Sequence, residues 1–142
     1  MSNTLYDQDF YAWANEQAAL LRAGRFADID VENVAEEIES MGRSEKRELV
    51  NRLAVLLMHL LKWRYQPGFR SNSWRLSIKE QRFQIARHMR DNPSLKSHLA
   101  EAMADGYSLA RIKAERETGL EDFPDACPFG FDEAMNDDFW PD

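Results

Sequence analysis

The chain has 142 residues, of which 44% are hydrophobic, 11% aromatic and 30% charged; this excludes a disordered polar chain and supplies enough apolar material for a core without disulfides. A net charge of −7 argues against non-specific affinity for nucleic acid, which depends on neutralising phosphates. The apolar run from Leu53 to Met58, resumed by Leu60 and Leu61, falls short of the ~18–20 residues a bilayer span needs. The start MSNTLYDQDF has neither a basic nor an apolar leader region, so no export signal is expected. Cys127 is the single cysteine, which fits a reducing cytoplasm.

In chain order the pattern predicts five helices. Asp7 reads as the N-cap of a helix over residues 7–23, with Phe10, Trp13, Ala14, Ala18 and Leu21 on one face and Gly24 as its stop. Gln17 lies in that stripe and needs a hydrogen-bond partner. Asp30 caps a second helix, 30–41, whose stripe is Val31, Val34, Ala35, Ile38 and Met41, closed by Gly42. Ser44 caps a third, 45–66, ended by Pro67-Gly68; from Leu53 to Leu61 only His59 is polar, so this helix is expected to be covered on most sides. Ser71 or Ser73 opens a fourth helix, 73–91, stopped by Asn92-Pro93. Ser94 opens a fifth, 94–118, whose small residues Ala102, Gly106, Ala110 and Ala114 would let a neighbouring helix approach closely. The tail, 120–142, holds three prolines and five aromatics; it is expected to wrap irregularly over the helices, with a short turn near Asp132 to Met135. The expectation is an all-α, single helical domain over 1–142 around the third helix.

Charge is segregated. Residues 1–42 carry a net −7, residues 43–96 a net +9, and residues 97–142 a net −9. Either the basic middle is neutralised by its acidic flanks, which a compact domain favours, or it presents a basic face to an anionic partner.

Few constellations carry chemistry. His59, in its apolar run beside Trp63, reads as a neutral histidine buried in the core and hydrogen-bonded to one polar partner; the catalytic alternative would use it with Glu37 and Arg82. Glu117 continues the stripe of the fifth helix and needs a cation, Arg82 or another residue of the basic block; Glu37 with Arg82 is an equivalent pairing. His88 with Asp91 and His98 with Glu101 are isolated pairs, so no metal site and no cofactor is expected. Cys127, in the acidic and aromatic PDACPFGF, reads as a packed thiol. The most suggestive group interleaves aromatics with basic residues around the Pro67 loop: Trp63, Gln66, Arg70, Trp74 and Arg75. It reads as a helix–helix corner first, and as a binding surface for an anion or a protein second.

The stretches YDQDFYAWANEQAALLRAG, DIDVENVAEEIESMGRSEKREL, LLMHLLKWRYQP, SNSW, EQR, DNPSL, ERETGL and FPDACPF follow one another in this order. Together they resemble the bacterial domain-of-unknown-function family number twenty-nine, from about Tyr6 to Trp140. The resemblance implies an all-helical bacterial domain and brings no activity, cofactor or catalytic residue. The functional expectation is therefore a non-enzymatic helical adaptor that binds another protein or itself. Nucleic-acid binding through residues 43–96, or an enzyme built on His59, Glu37 and Arg82, are the alternatives. No membrane partner is expected.

Overall fold

The computed structural model describes residues 4–142. It is all-α, with six helices: α1 (Thr4–Gln8), α2 (Phe10–Arg22), α3 (Val31–Tyr65), α4 (Asn72–Asp91), α5 (Leu99–Thr118) and α6 (Phe131–Met135). Short 3₁₀ turns precede α3, α4 and α5. No strand occurs among the described residues, and none of the helices is long and apolar enough to cross a membrane. The chain divides into two compact units at Ser44/Glu45, a boundary that falls inside α3.

Three helix boundaries differ from expectation. The N-cap of α2 is Asp9, whose side chain accepts from Ala12 N–H; residues 4–8 form a separate turn of helix, so Asp7 lies inside α1. Gly42 does not close a helix. Residues 31–65 form one helix, and Ser44 lies inside it rather than capping a new one. Glycine lacks a side chain to enforce a stop; inside a helix it costs only about 1 kcal/mol relative to alanine. The stretch 94–98 is a 3₁₀ turn, so α5 starts at Leu99 and not at Ser94. Ser71 caps α4 through its hydroxyl, which accepts from Trp74 N–H, and Gly119 ends α5 in the left-handed conformation, φ +77°.

In the N-terminal unit, Trp13 and Gln17 are buried and both are tied to Asp30. The Trp13 indole donates to the Asp30 carboxylate at 3.0 Å, and Asp30 N–H donates to Gln17 Oε1 at 2.8 Å. Asp30 also accepts from the Asn33 side chain, and these bonds hold its carboxyl below the usual range. The expected apolar stripe of residues 31–41 is not a buried face: Val31, Ile38 and Met41 are exposed.

In the C-terminal unit the third-helix expectation holds: Leu49, Leu53, Leu56, Leu57, Leu60 and Leu61 are fully buried. Ile78 and Ile85 of α4 and Ala102, Ala110 and Ala114 of α5 complete the core. At Gly106 α5 approaches α3 closely; a Cβ there would lie 3.0 Å from Leu53 Cβ. The tail packs as irregular chain around α6, burying Phe123, Phe129 and Pro141.

Candidate functional site

The C-terminal unit carries a cleft of about 690 Å³ between α4 and the tail. Arg75, Lys79, Arg82, Phe83 and Ala86 line one wall. Their spacing of four, three, one and three residues keeps them on one face of a helix. Met135, Asp137 and Trp140 line the other.

Two arginines build the far wall by binding the tail. Arg82 is only 2% exposed. Its Nε donates to Ala134 O at 2.8 Å and its Nη2 to Phe139 O at 2.7 Å. Nη1 has no hydrogen-bond partner. Burial pulls the Arg82 pKa down, with Asp137 pushing it back up. Arg70 donates from Nε to Trp63 O at 2.7 Å and from Nη2 to Pro141 O at 3.1 Å. The rings between them complete a stack: Arg70 lies over Trp63 at 5.1 Å, Trp63 is 4.9 Å from Trp140, and Arg82 lies over Trp140 at 5.2 Å. Cation–π contacts of this kind strengthen when desolvated. The stack positions Trp140 in the cleft.

The residues singled out from sequence separate into distinct roles. Trp63, Arg70 and Arg82 belong to the stack. Arg75 lies at the cleft with its Nε and Nη2 on Asn72 Oδ1. Trp74 is covered by the ammonium of Lys62 at 4.6 Å. Gln66 marks the end of α3, where its N–H closes on Lys62 O and its carbonyl accepts from Phe69 N–H. Glu117 pairs with Lys62 at 2.5 Å, not with Arg82: the basic block supplies the cation, but from α3. Arg82 binds carbonyls instead, because the tail arrives over it. Glu37 belongs to the N-terminal unit, where the Tyr6 hydroxyl donates to it; this bond and burial push Tyr6 up to about 12. The expected Glu37–Arg82 pair is therefore replaced on both sides.

His59 is half-buried, not buried as expected, because Val55 and His59 share the one edge of α3 that the core leaves partly open. Nδ1–H donates to Val55 O at 2.8 Å. Burial lowers the His59 pKa, partly offset by that bond and by Glu117, while Lys62 adds to the lowering. Cys127 is held as a thiol: burial raises its pKa, and Sγ lies 3.2 Å from Phe129 O.

Sequence reasoning missed Phe83, Met135, Asp137 and Trp140 as lining of a cleft. Half of the signal was present, since Arg75, Lys79 and Arg82 stand at i, i+4 and i+7 on α4. Nothing local placed residues 135–140 opposite them.

Fold and cleft define an all-α protein, without strands among the described residues, that carries a cationic, partly apolar cleft. The chain belongs to the family described as Domain of unknown function DUF29, which it matches over residues 5–140. Neither the curated proteins nor the solved structures contain a match.

Proposed function

We propose that the chain is a non-catalytic helical interaction module that docks an acidic segment of a partner protein in the cleft between α4 and the tail. The observation that carries this reading is the composition of the cleft. Arg75 and Lys79 stand at its mouth with no ion-pair partner among the described residues, beside Phe83, which is 61% exposed, and the ring of Trp140. A peptide carrying carboxylates around an aromatic or aliphatic anchor matches both halves of that surface. Asp137 in the opposite wall and the net charge of −7 weigh against a phosphate backbone. His59, Glu37 and Arg82 each have separate partners, which weighs against an enzyme built on those three. A single cysteine held as a thiol supports a location in the bacterial cytoplasm.

The test is fluorescence polarisation with a labelled Asp/Glu-rich peptide bearing a central Trp-Leu pair. Saturable binding is expected, weakened about tenfold or more by Lys79→Glu and by Phe83→Ala, since each removes a separate half of the surface. A parallel titration uses single-stranded DNA and RNA at about 50 mM salt. Tighter binding of nucleic acid than of the peptide, or peptide binding indifferent to both substitutions, overturns the reading.

A further inference from the structure

Away from the cleft, α3 and α4 bring together three groups that sequence spacing alone did not assemble. Glu45 and Glu48 lie on α3, and His88 lies on α4 facing them. One donor atom from each falls within 4.8 Å of the other two. His88 is 8% exposed, whereas the two carboxylates are about half exposed.

The hydrogen bonding of His88 determines what this cluster can hold. Nε2 lies 2.8 Å from the backbone carbonyl of Glu45. A carbonyl only accepts, so Nε2 carries the proton. In the neutral ring Nδ1 is then a bare lone pair. It has no hydrogen-bond donor among the described residues and faces Glu48 Oε2 at 3.7 Å. Two acceptors facing each other favour a positive species between them; Arg52 supplies one to Glu48 Oε2 at 2.9 Å, but no donor reaches Nδ1. At 3.7 Å they are too far apart to share a proton in an ordinary hydrogen bond. The separation suits a metal better. With bonds of about 2.0–2.2 Å in a tetrahedral shell, neighbouring donor atoms lie about 3.3–3.6 Å apart. The arrangement on the far side of the ring is also that of a ligating histidine, whose second N–H is commonly fixed by a backbone carbonyl.

We propose that Glu45, Glu48 and His88 form a binding site for a divalent transition-metal ion, with zinc the best match to one imidazole nitrogen and two carboxylates. His88 Nδ1 and a Glu48 oxygen are the fixed donors. Glu45, about half exposed, has its Oε2 3.7 Å from Nε2, at the N–H edge of the ring; it turns toward Nδ1 as the third donor, giving up the long contact of 3.4 Å that Oε2 makes with Asn92. Water fills the fourth position. Arg52 donates to Glu48 Oε2 at 2.9 Å and occupies one of its two lone pairs; the other remains for the ion. The ion would tie α3 to α4 and so stabilise the folded C-terminal unit in proportion to its occupancy. This site is independent of the cleft and of the docking reading.

The experiment is calorimetric titration of zinc chloride into chelator-treated protein, with thermal unfolding measured in parallel. One ion per chain and a zinc-dependent rise in the unfolding midpoint are expected. Glu48→Gln and Glu45→Gln should weaken binding about tenfold or more and abolish the rise. His88→Gln should do the same; because His88 is buried and that variant can misfold, the two exposed-side variants carry the test. Cys127→Ser and His98→Ala should leave binding unchanged. No binding up to about 100 µM zinc, a level at which a micromolar site would be nearly full, overturns the proposal. So does binding that survives Glu48→Gln and Glu45→Gln but is lost with Cys127→Ser or His98→Ala.

Discussion

Leu57 and His59 stand two residues apart on α3 and show how far a single position can be read from its neighbours. Leu57 is fully buried, as its run predicts; truncation to alanine should cost about 2–5 kcal/mol in denaturant titration. His59 falls on the half-covered edge of the same helix, which no count of apolar neighbours reveals. Its folded pKa lies below the unfolded value of about 6.5, chiefly through burial. The unfolded chain therefore binds the proton more readily. The His59 contribution to stability is full above that value and is lost as pH falls through it toward the folded pKa. Unfolding curves between about pH 7.5 and pH 5 should show this loss in the wild type and a smaller one in His59→Gln. An imidazole that titrates in the folded protein at or above the unfolded value, followed by NMR, contradicts it. Among the glycines, Gly106 has the least room. Gly106→Ala should destabilise by about 1–3 kcal/mol, because the new methyl meets Leu53 Cβ at 3.0 Å.

At the scale of elements, α3 is the instructive case. Gly42 followed by Ser44 is a plausible helix stop and start, yet the helix runs through both. Gly42 has open space around the position of its missing Cβ and no positive φ. Gly42→Ala should therefore raise stability by about 0.5–1 kcal/mol, read as a shift of the urea midpoint. A loss would mean that residue 42 is a joint in solution. The boundaries that were legible, at Asn92-Pro93 and Gly119, have a covalent or dihedral cause: proline disfavours helix in the residue before it, and Gly119 adopts φ +77°.

For the whole molecule, the opposed charge blocks compensate in part. Lys46–Glu101 at 2.8 Å and Lys62–Glu117 at 2.5 Å join the basic middle to its acidic C-terminal flank, and Arg43–Glu36 at 2.7 Å joins it to the N-terminal one. Arg64 lies over the Phe129 ring, while Lys79, Arg87 and Arg90 have no ion pair among the described residues. Salt should lower stability only modestly, since exposed pairs contribute about 0–1 kcal/mol each. The tail matters more. Removing residues 137–142 strips Arg82 Nη2 and Arg70 Nη2 of their acceptors and uncovers the Trp63 ring. A loss of about 3 kcal/mol or more is expected. Arg82→Met combined with the truncation should cost less than the sum of the two, because both remove the same contacts. Additive losses would show that the arginine and the tail act separately.

Local chemistry determined the helical class of this protein, most helix ends and the identity of the core run, because each depends on neighbours within one or two turns of chain. It also placed Arg75, Lys79 and Arg82 on one helical face. The partner of each polar group was decided only in three dimensions. Glu117 takes Lys62, 55 residues away; Arg82 takes carbonyls 52 and 57 residues away; His88 meets Glu45 and Glu48 across two helices. Ion pairs and hydrogen bonds are short-ranged and carry no sequence period, so only the packed core, by bringing the helices and the tail to their final positions, selects which donor meets which acceptor.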